Sequence, residues 1–264
     1  MNTIRIGRQL VWRCLSFVFI FLIFCQPILA QSTEVSNNEM RCVLFTGYGG
    51  WSISAGDLKN DYGGMGEIGG GVMFQNRKKW IIGLDFSYFF GTVVKKDPIP
   101  NLRTPEGYVI GTNGSFASFE VYQRGFMFPT FKIGKTFWPG KPSKYNGLGG
   151  ITAMIGGAWL QHWTYIRDQS KKTPQFSEAY LDGYDKLRSG PGFGAWLGYL
   201  YLPEHGKINF HLEAGYFMAY TKTRRYDFAY STPPGQKFTD GLLQIRLRIC
   251  FAIRSRPEET YYYY

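Results

Sequence analysis

The chain has 264 residues and a formal net charge of +11, with 22 Phe, 19 Tyr, 7 Trp and 33 Gly at a slightly negative mean hydropathy. No nucleic-acid-binding motif accompanies the basic surplus, so no nucleic-acid partner is expected, and anionic lipid or polysaccharide is the natural counterpart. Beyond the N-terminal segment no apolar run nears the roughly 20 residues of a membrane helix, so any crossing of a bilayer must be made by strands.

Residues 1–30 read as a secretory signal. Arg5, Arg8 and Arg13 precede an apolar run over 15–24, and Pro27-Ile28-Leu29-Ala30 stands before Gln31, which predicts cleavage after Ala30. Those three arginines are the only charges removed, which leaves +8 on the remainder. A lipoprotein signal over Leu22-Ile23-Phe24-Cys25 competes with this reading, but Phe24 stands where a small residue should precede the modified cysteine. Residues 31–40 then form a short periplasmic segment.

From residue 41 the pattern has a period of two, the mark of extended strands. Predicted strands cover 41–54, 66–75, 80–93, 116–137, 147–165, 192–202, 207–222 and 242–254. The third sets Ile82, Leu84, Phe86, Tyr88 and Phe90 against Gly83, Asp85, Ser87, Phe89 and Gly91. The fourth contains Pro129 and changes phase between Phe128 and Phe131, so a bulge is expected there. The seventh sets Ile208, Phe210, Leu212, Ala214, Tyr216, Met218 and Tyr220 against Asn209, His211 and Glu213, then Gly215, Phe217 and Ala219. The eighth sets Ile245, Leu247, Ile249, Phe251 and Ile253 against Gln244, Arg246, Arg248, Cys250 and Ala252.

The links 76–79, 138–146 and 203–206 are short, whereas 95–115, 166–191 and 223–241 are long and polar. Short turns on one rim, longer loops on the other and an even strand count predict an all-β fold: an eight-stranded antiparallel transmembrane β-barrel over 41–254, with short periplasmic turns and longer extracellular loops. Closure leaves no edge and satisfies every backbone donor and acceptor within hydrocarbon. Trp51, Trp80, Trp159, Trp163, Tyr165, Tyr201 and Tyr220 read as interfacial girdles.

An eight-stranded bore is filled by side chains. Asp85, His211, Glu213, Gln244, Arg246 and Arg248 face it, and the two carboxylates and two guanidiniums are expected to pair as a plug, since an unpaired buried charge is costly. A narrow polar pathway is the alternative use of the same residues. Cys42 and Cys250 fall in the first and last strands, neighbours in a closed barrel and both in the oxidising periplasmic half, so a disulfide across the seam is a candidate. Gly69-Gly70-Gly71 and Gly147-Leu148-Gly149-Gly150 lack the helix start and Lys-Ser/Thr of a phosphate loop, and relief of crowding is the simpler reading. No cofactor or metal is expected.

By this pattern, and with Ala30-Gln31 at the cleavage site, the chain resembles the small eight-stranded outer-membrane barrels of the OmpA, OmpX and OmpW-like class, particularly those of Bacteroidota. The resemblance implies residence in the outer membrane of a Gram-negative bacterium, among lipid and lipopolysaccharide, and permits a scaffold role in an envelope machine for secretion or gliding. It also raises a lipid A-modifying enzyme, whose acyl chemistry would need His beside Ser and a carboxylate. Of the three histidines, His205 lies in a tight turn and His211 faces the bore, while His162 is expected near the outer girdle with no nucleophile beside it in sequence. The reading is therefore non-enzymatic. The usual ending on a terminal aromatic strand is replaced by residues 255–264, a polar Pro-containing stretch and Tyr261, Tyr262, Tyr263 and Tyr264, a candidate docking tail for a periplasmic or outer-membrane protein. The loop over 165–191 is the corresponding outward-facing candidate.

Overall fold

A computed structural model of the chain describes residues 41–137, 149–168, 173–176, 178–203 and 209–255. The signal segment 1–30, residues 31–40, His205 and the tail with Tyr261, Tyr262, Tyr263 and Tyr264 lie outside the described residues.

Eight strands form a closed antiparallel ring: β1 (Arg41–Gly56), β2 (Gly64–Gln75), β3 (Trp80–Gly91), β4 (Phe119–Phe137), β5 (Gly150–Asp168), β6 (Arg188–Tyr201), β7 (Phe210–Thr223) and β8 (Lys237–Ser255). Each pairs with its sequence neighbour and β1 closes on β8, where Arg41 stands opposite Ser255 and Gly56 opposite Asp240. Strands of 12 to 19 residues far exceed the usual five or six of a soluble sheet and suffice for a tilted bilayer crossing.

Burial alternates as the sequence pattern demands. On β8, Leu247, Ile249, Phe251 and Ile253 point outward, Phe251 being 69 % exposed, while Gln244, Arg246 and Arg248 point inward and are 0 % exposed. Large apolar side chains on the outside and charged ones inside invert the arrangement that water imposes, and only a lipid-facing wall stabilises it. The fold is an eight-stranded transmembrane β-barrel. Trp51, Trp80, Trp159, Tyr165, Tyr201 and Tyr220 are exposed on its outer wall.

The irregularity expected around Pro129 is present, and two strand starts differ from expectation. β4 loses register between Met127 and Thr130 against β5, and β3 shifts between Asp85 and Ser87 where it meets β4, a disruption centred on the Phe128–Pro129 bond, which is cis. β6 begins at Arg188 rather than 192: Pro191 stands opposite Trp159 of β5, yet its missing N–H leaves a gap in the pairing to β7 between Ser189 and Gly192. β8 begins at Lys237, because Asp240 and Gly241 continue the strand with an inward carboxylate where the sequence reads as loop.

One rim carries the links 76–79, 138–149 and 202–209, the other 57–63, 92–118, 169–187 and 224–236. The first of these outer loops, which contains a helical turn (Leu58–Asp61), is no longer than the 202–209 link; the other three are longer. Those three pack on one another through Ile99, Val109, Phe176, Tyr184 and Ala229, around Ile166 of β5, and Tyr230 Oη donates to Asp97 O at 2.8 Å.

Candidate functional site in the lumen

The inward side chains of β8 sample the bore in order. From the short-turn rim they run Cys250, Arg248, Arg246, Gln244, Leu242 and Asp240. Cys250 belongs to an apolar cluster with Cys42, Leu44, Met73, Ile81, Met154, Leu200 and Leu202. Leu242 belongs to a second cluster with Tyr62, Met65, Phe89, Met127, Leu160, Trp196 and Phe217. Between these two apolar layers lies an ionic one.

Three acids and three bases make up that ionic layer. Arg248 donates from Nη1 and Nη2 to the two Asp85 oxygens at 3.0 and 2.7 Å, a bidentate clamp across the bore. Glu213 Oε1 is shared by three cations: Lys132 Nζ at 2.7 Å, Arg246 Nη1 at 3.1 Å and Arg248 Nη2 at 3.2 Å. Lys132 Nζ also lies 3.2 Å from Asp85, and Arg246 Nη2 lies 2.8 Å from Glu67, whose other oxygen accepts from Ser52 at 2.8 Å and Gln244 at 3.3 Å. The Tyr48 ring supports both guanidiniums, 4.2 Å from Arg248 and 5.4 Å from Arg246. His211 sits beside the layer with Nε2 2.8 Å from Thr152 Oγ1.

The structure thus brings Asp85, Glu213, Arg246 and Arg248 together and adds two members that sequence reasoning missed. Lys132 lies three residues past Pro129, where the bulge obscures the phase; read backward from Ile133 and Phe131, both outward, its inward direction was recoverable. Glu67 sits beside the glycine-rich run of β2, which offers too little contrast to show a face. That run has a definite role. A Cβ on Gly71 would fall 2.1 Å from Asp85 Oδ1, and one on Gly69 would fall 2.4 Å from the Tyr48 ring, so the glycines make room for the large groups facing them.

The two cysteines are free, and the seam explains why. Cys42 stands opposite Arg254 while Cys250 stands opposite Thr46. The four-residue offset separates them by about 13 Å along the strands, beyond the roughly 7 Å that a disulfide spans. Adjacency of the strands was the correct premise; register removes the bond.

Nearer the long-loop rim a second polar group lines the bore. His162 points inward, against the expectation that it sits at the outer girdle, with Nε2 2.9 Å from Asp240 Oδ2 and its ring edge-on to Tyr62. Thr221 Oγ1 donates to the same Asp240 oxygen. A nucleophilic relay needs the hydroxyl on the imidazole and the carboxylate behind it; here the hydroxyl engages the carboxylate. Arg188 joins this layer with Nη1 3.7 Å from Asp240 Oδ1, and its Nη2 lies 2.7 Å from Asp61.

No protein-family model matches the chain, and no curated protein matches it. Among solved structures it is similar to Ail, the attachment invasion locus protein of Yersinia pestis, at a TM-score of 0.38 and 10% identity over 81% of this chain and 99% of that one. It is similar to Neisserial surface protein A at a TM-score of 0.30 and 12% identity, covering 81% of this chain and 97% of that one. It is also similar to OprG of Pseudomonas aeruginosa at a TM-score of 0.35 and 12% identity, covering 82% and 98%. Identity and TM-score are low throughout, and the architecture stands on the chain's own closed strand order and its inward and outward faces. It is that of the small eight-stranded outer-membrane barrels which the sequence pattern resembles.

Proposed function

We propose that the protein is a non-conducting, non-enzymatic barrel of a Gram-negative outer membrane that anchors an extracellular loop platform in a structural or interaction role. The observation that carries this reading is the ionic layer held between two apolar layers. An ion moving along the bore would have to displace Met154 and Leu200 below and Trp196 and Phe217 above, besides breaking the Asp85–Arg248 clamp. The inward, Asp240-bound His162 speaks against a lipid A-modifying enzyme, whose substrate lies outside the wall. The loops favour an interaction role: their apolar packing makes one platform, and Tyr108, Ile110 and Phe116 are exposed on it.

The lipid partner in this reading is lipopolysaccharide. Lys222 and Lys237 stand directly opposite one another on the outward faces of β7 and β8, just beyond Tyr220 of the girdle. Like charges in that position repel unless an anion bridges them, which an outer-leaflet phosphate would do. A protein partner at the periplasmic tail, residues 255–264, remains part of the proposal, and truncation after Arg254 should abolish its co-purification.

Conductance of the purified full chain in planar lipid bilayers tests the central point. A baseline equal to that of the bare membrane is expected. Reproducible unitary current steps from the wild-type barrel would replace the anchor reading with the narrow-pathway one.

A further inference from the structure

A cavity of about 130 Å³ lies at the long-loop end of the barrel, beneath the loops 169–187 and 224–236. Its walls carry four cations, Lys96, Lys186, Arg188 and Arg225, and two carboxylates, Asp185 and Asp227. Both carboxylates are engaged. Asp185 pairs with Arg225 at 2.7 Å and accepts from Leu187 N at 3.0 Å, and Asp227 Oδ1 accepts from Ala229 N at 2.9 Å.

Two of the cations keep unfilled hydrogen-bonding capacity although they are more than nine-tenths buried, Lys186 being 7 % and Arg188 6 % exposed. The Lys186 ammonium hydrogen-bonds to the carbonyls of Lys96 and Asp97, each at 3.4 Å, and lies 4.7 Å from the centre of the Tyr230 ring, but among the described residues no carboxylate lies within ion-pair distance of it. Its backbone has φ +49°, the left-handed region that a residue with a Cβ adopts only under constraint. Arg188 places Nη2 on Asp61 at 2.7 Å and Nη1 at 3.7 Å from Asp240 Oδ1, an ion pair too long for a hydrogen bond; Nε has no hydrogen-bond partner, and the guanidinium sits 3.6 Å from the centre of the Phe238 ring. A buried cation with unfilled donors is costly unless an anion completes it. Burial also holds the Lys186 ammonium down to about 8, against the opposing pull of Asp61 and Asp227.

We propose that this cavity is an oxyanion site, in which Lys186 Nζ and the unfilled Arg188 donors bind a phosphoryl-type group arriving from the extracellular side. Arg225 and Lys96 supply the surrounding positive potential, and Phe238 backs the Arg188 guanidinium. The group is either free phosphate or the phosphoryl end of a sugar phosphate, since both present the same oxygens to the same donors.

Titration of the full-length protein in detergent at pH 7 and constant ionic strength tests the site, with inorganic phosphate and glucose 1-phosphate as probes and chloride as the reference. Saturable one-to-one binding is expected, with a phosphate-dependent rise in melting temperature. Lys186→Met should weaken the affinity at least about tenfold, the effect of losing one charge-assisted hydrogen bond. Binding of phosphate but not of the sugar phosphate assigns the free anion; binding of both assigns a phosphoryl group on a carrier. Absence of saturable binding to the wild type overturns the proposal, as does equal affinity in wild type and Lys186→Met. Should Lys186→Met fail to fold, the wild-type isotherm and its competition by sulfate decide alone: a saturable isotherm that sulfate displaces supports the site, and a non-saturable one overturns it.

Discussion

Glu213 is the hub of the lumen, and removing its charge gives a sharp test of how the ionic layer is held. Glu67, Asp85 and Glu213 balance Lys132, Arg246 and Arg248, so the layer is neutral as built. Glu213→Gln leaves one cation uncompensated; Lys132→Met leaves one anion. At 2.7 Å the Lys132–Glu213 attraction alone is about 6 kcal/mol for an effective dielectric of about 20, most of it offset by desolvation of the two ions. Breaking a buried pair from one side is expected to cost about 3–5 kcal/mol. The Lys132→Met/Glu213→Gln double variant restores neutrality, because Arg248 keeps Asp85 and Arg246 keeps Glu67. Its destabilisation should therefore fall below the sum of the single costs by about 1–3 kcal/mol. Reversible urea unfolding in lipid vesicles, followed by tryptophan fluorescence, measures all four species. If the single costs add to within about 0.5 kcal/mol, the two residues are energetically independent and the shared-charge account of the plug is wrong.

Gly71→Ala should destabilise by about 1–3 kcal/mol, since its Cβ would collide with Asp85 Oδ1 and push the carboxylate off Arg248; an unchanged denaturation midpoint would mean that β2 yields freely. Cys42→Ser should leave electrophoretic mobility under non-reducing conditions identical to that of wild type, and a shift confined to wild type would show that the seam register is not the one described. Stability should also depend on pH through two loop neighbours. Burial pushes Asp185 up to about 6, against the Leu187 N–H and Arg225, while Asp182 adds to the rise. The folded state therefore holds a proton that the unfolded state has released, and stability falls as pH rises from about 4 to about 6. Lys186 has the opposite sense: burial holds it at about 8, against Asp61 and Asp227 and with a smaller push from Lys96 and Arg188, so the unfolded chain binds the extra proton above that and stability rises from pH 8 toward 10.5. In phosphate-free buffer, Asp185→Asn should flatten the first slope and Lys186→Met the second; slopes that survive both substitutions would assign the titration elsewhere.

The barrel was legible wherever a strand faces two different solvents without interruption. Ile245 to Ile253 against Gln244 to Arg248 leaves no second interpretation, and His211 and Glu213 followed from the same rule on β7. Legibility failed where backbone chemistry breaks the period. The bulge around Phe128 and Pro129 hid Lys132, glycine hid Glu67 on β2, and Pro191 concealed the start of β6. The pairing of distant strands fixes what no local pattern contains. That Cys42 and Cys250 lie on adjacent strands followed from closure, yet their four-residue offset is set by the stagger of the whole ring. The loop site around Lys186 has no periodic signal at all, because its residues come from three loops and the ends of three strands.

The ionic layer bears on the order of events in biogenesis. Arg248 and Asp85 are 163 positions apart in the chain, and Lys132 and Glu213 are 81 apart. No hairpin inserted alone contains a complete set: β2 and β3 carry only carboxylates to the layer, while β8, the last strand to be synthesised, brings both guanidiniums. Until the final strand docks, Glu67 and Asp85 face a bore without their arginines, and passing them through hydrocarbon in that state would be prohibitive. The strands must therefore be kept in a wet or protein-lined enclosure until the ring shuts. The seam between β1 and β8 is then the step at which the lumen charges neutralise, so that completed closure and a stable interior arrive together.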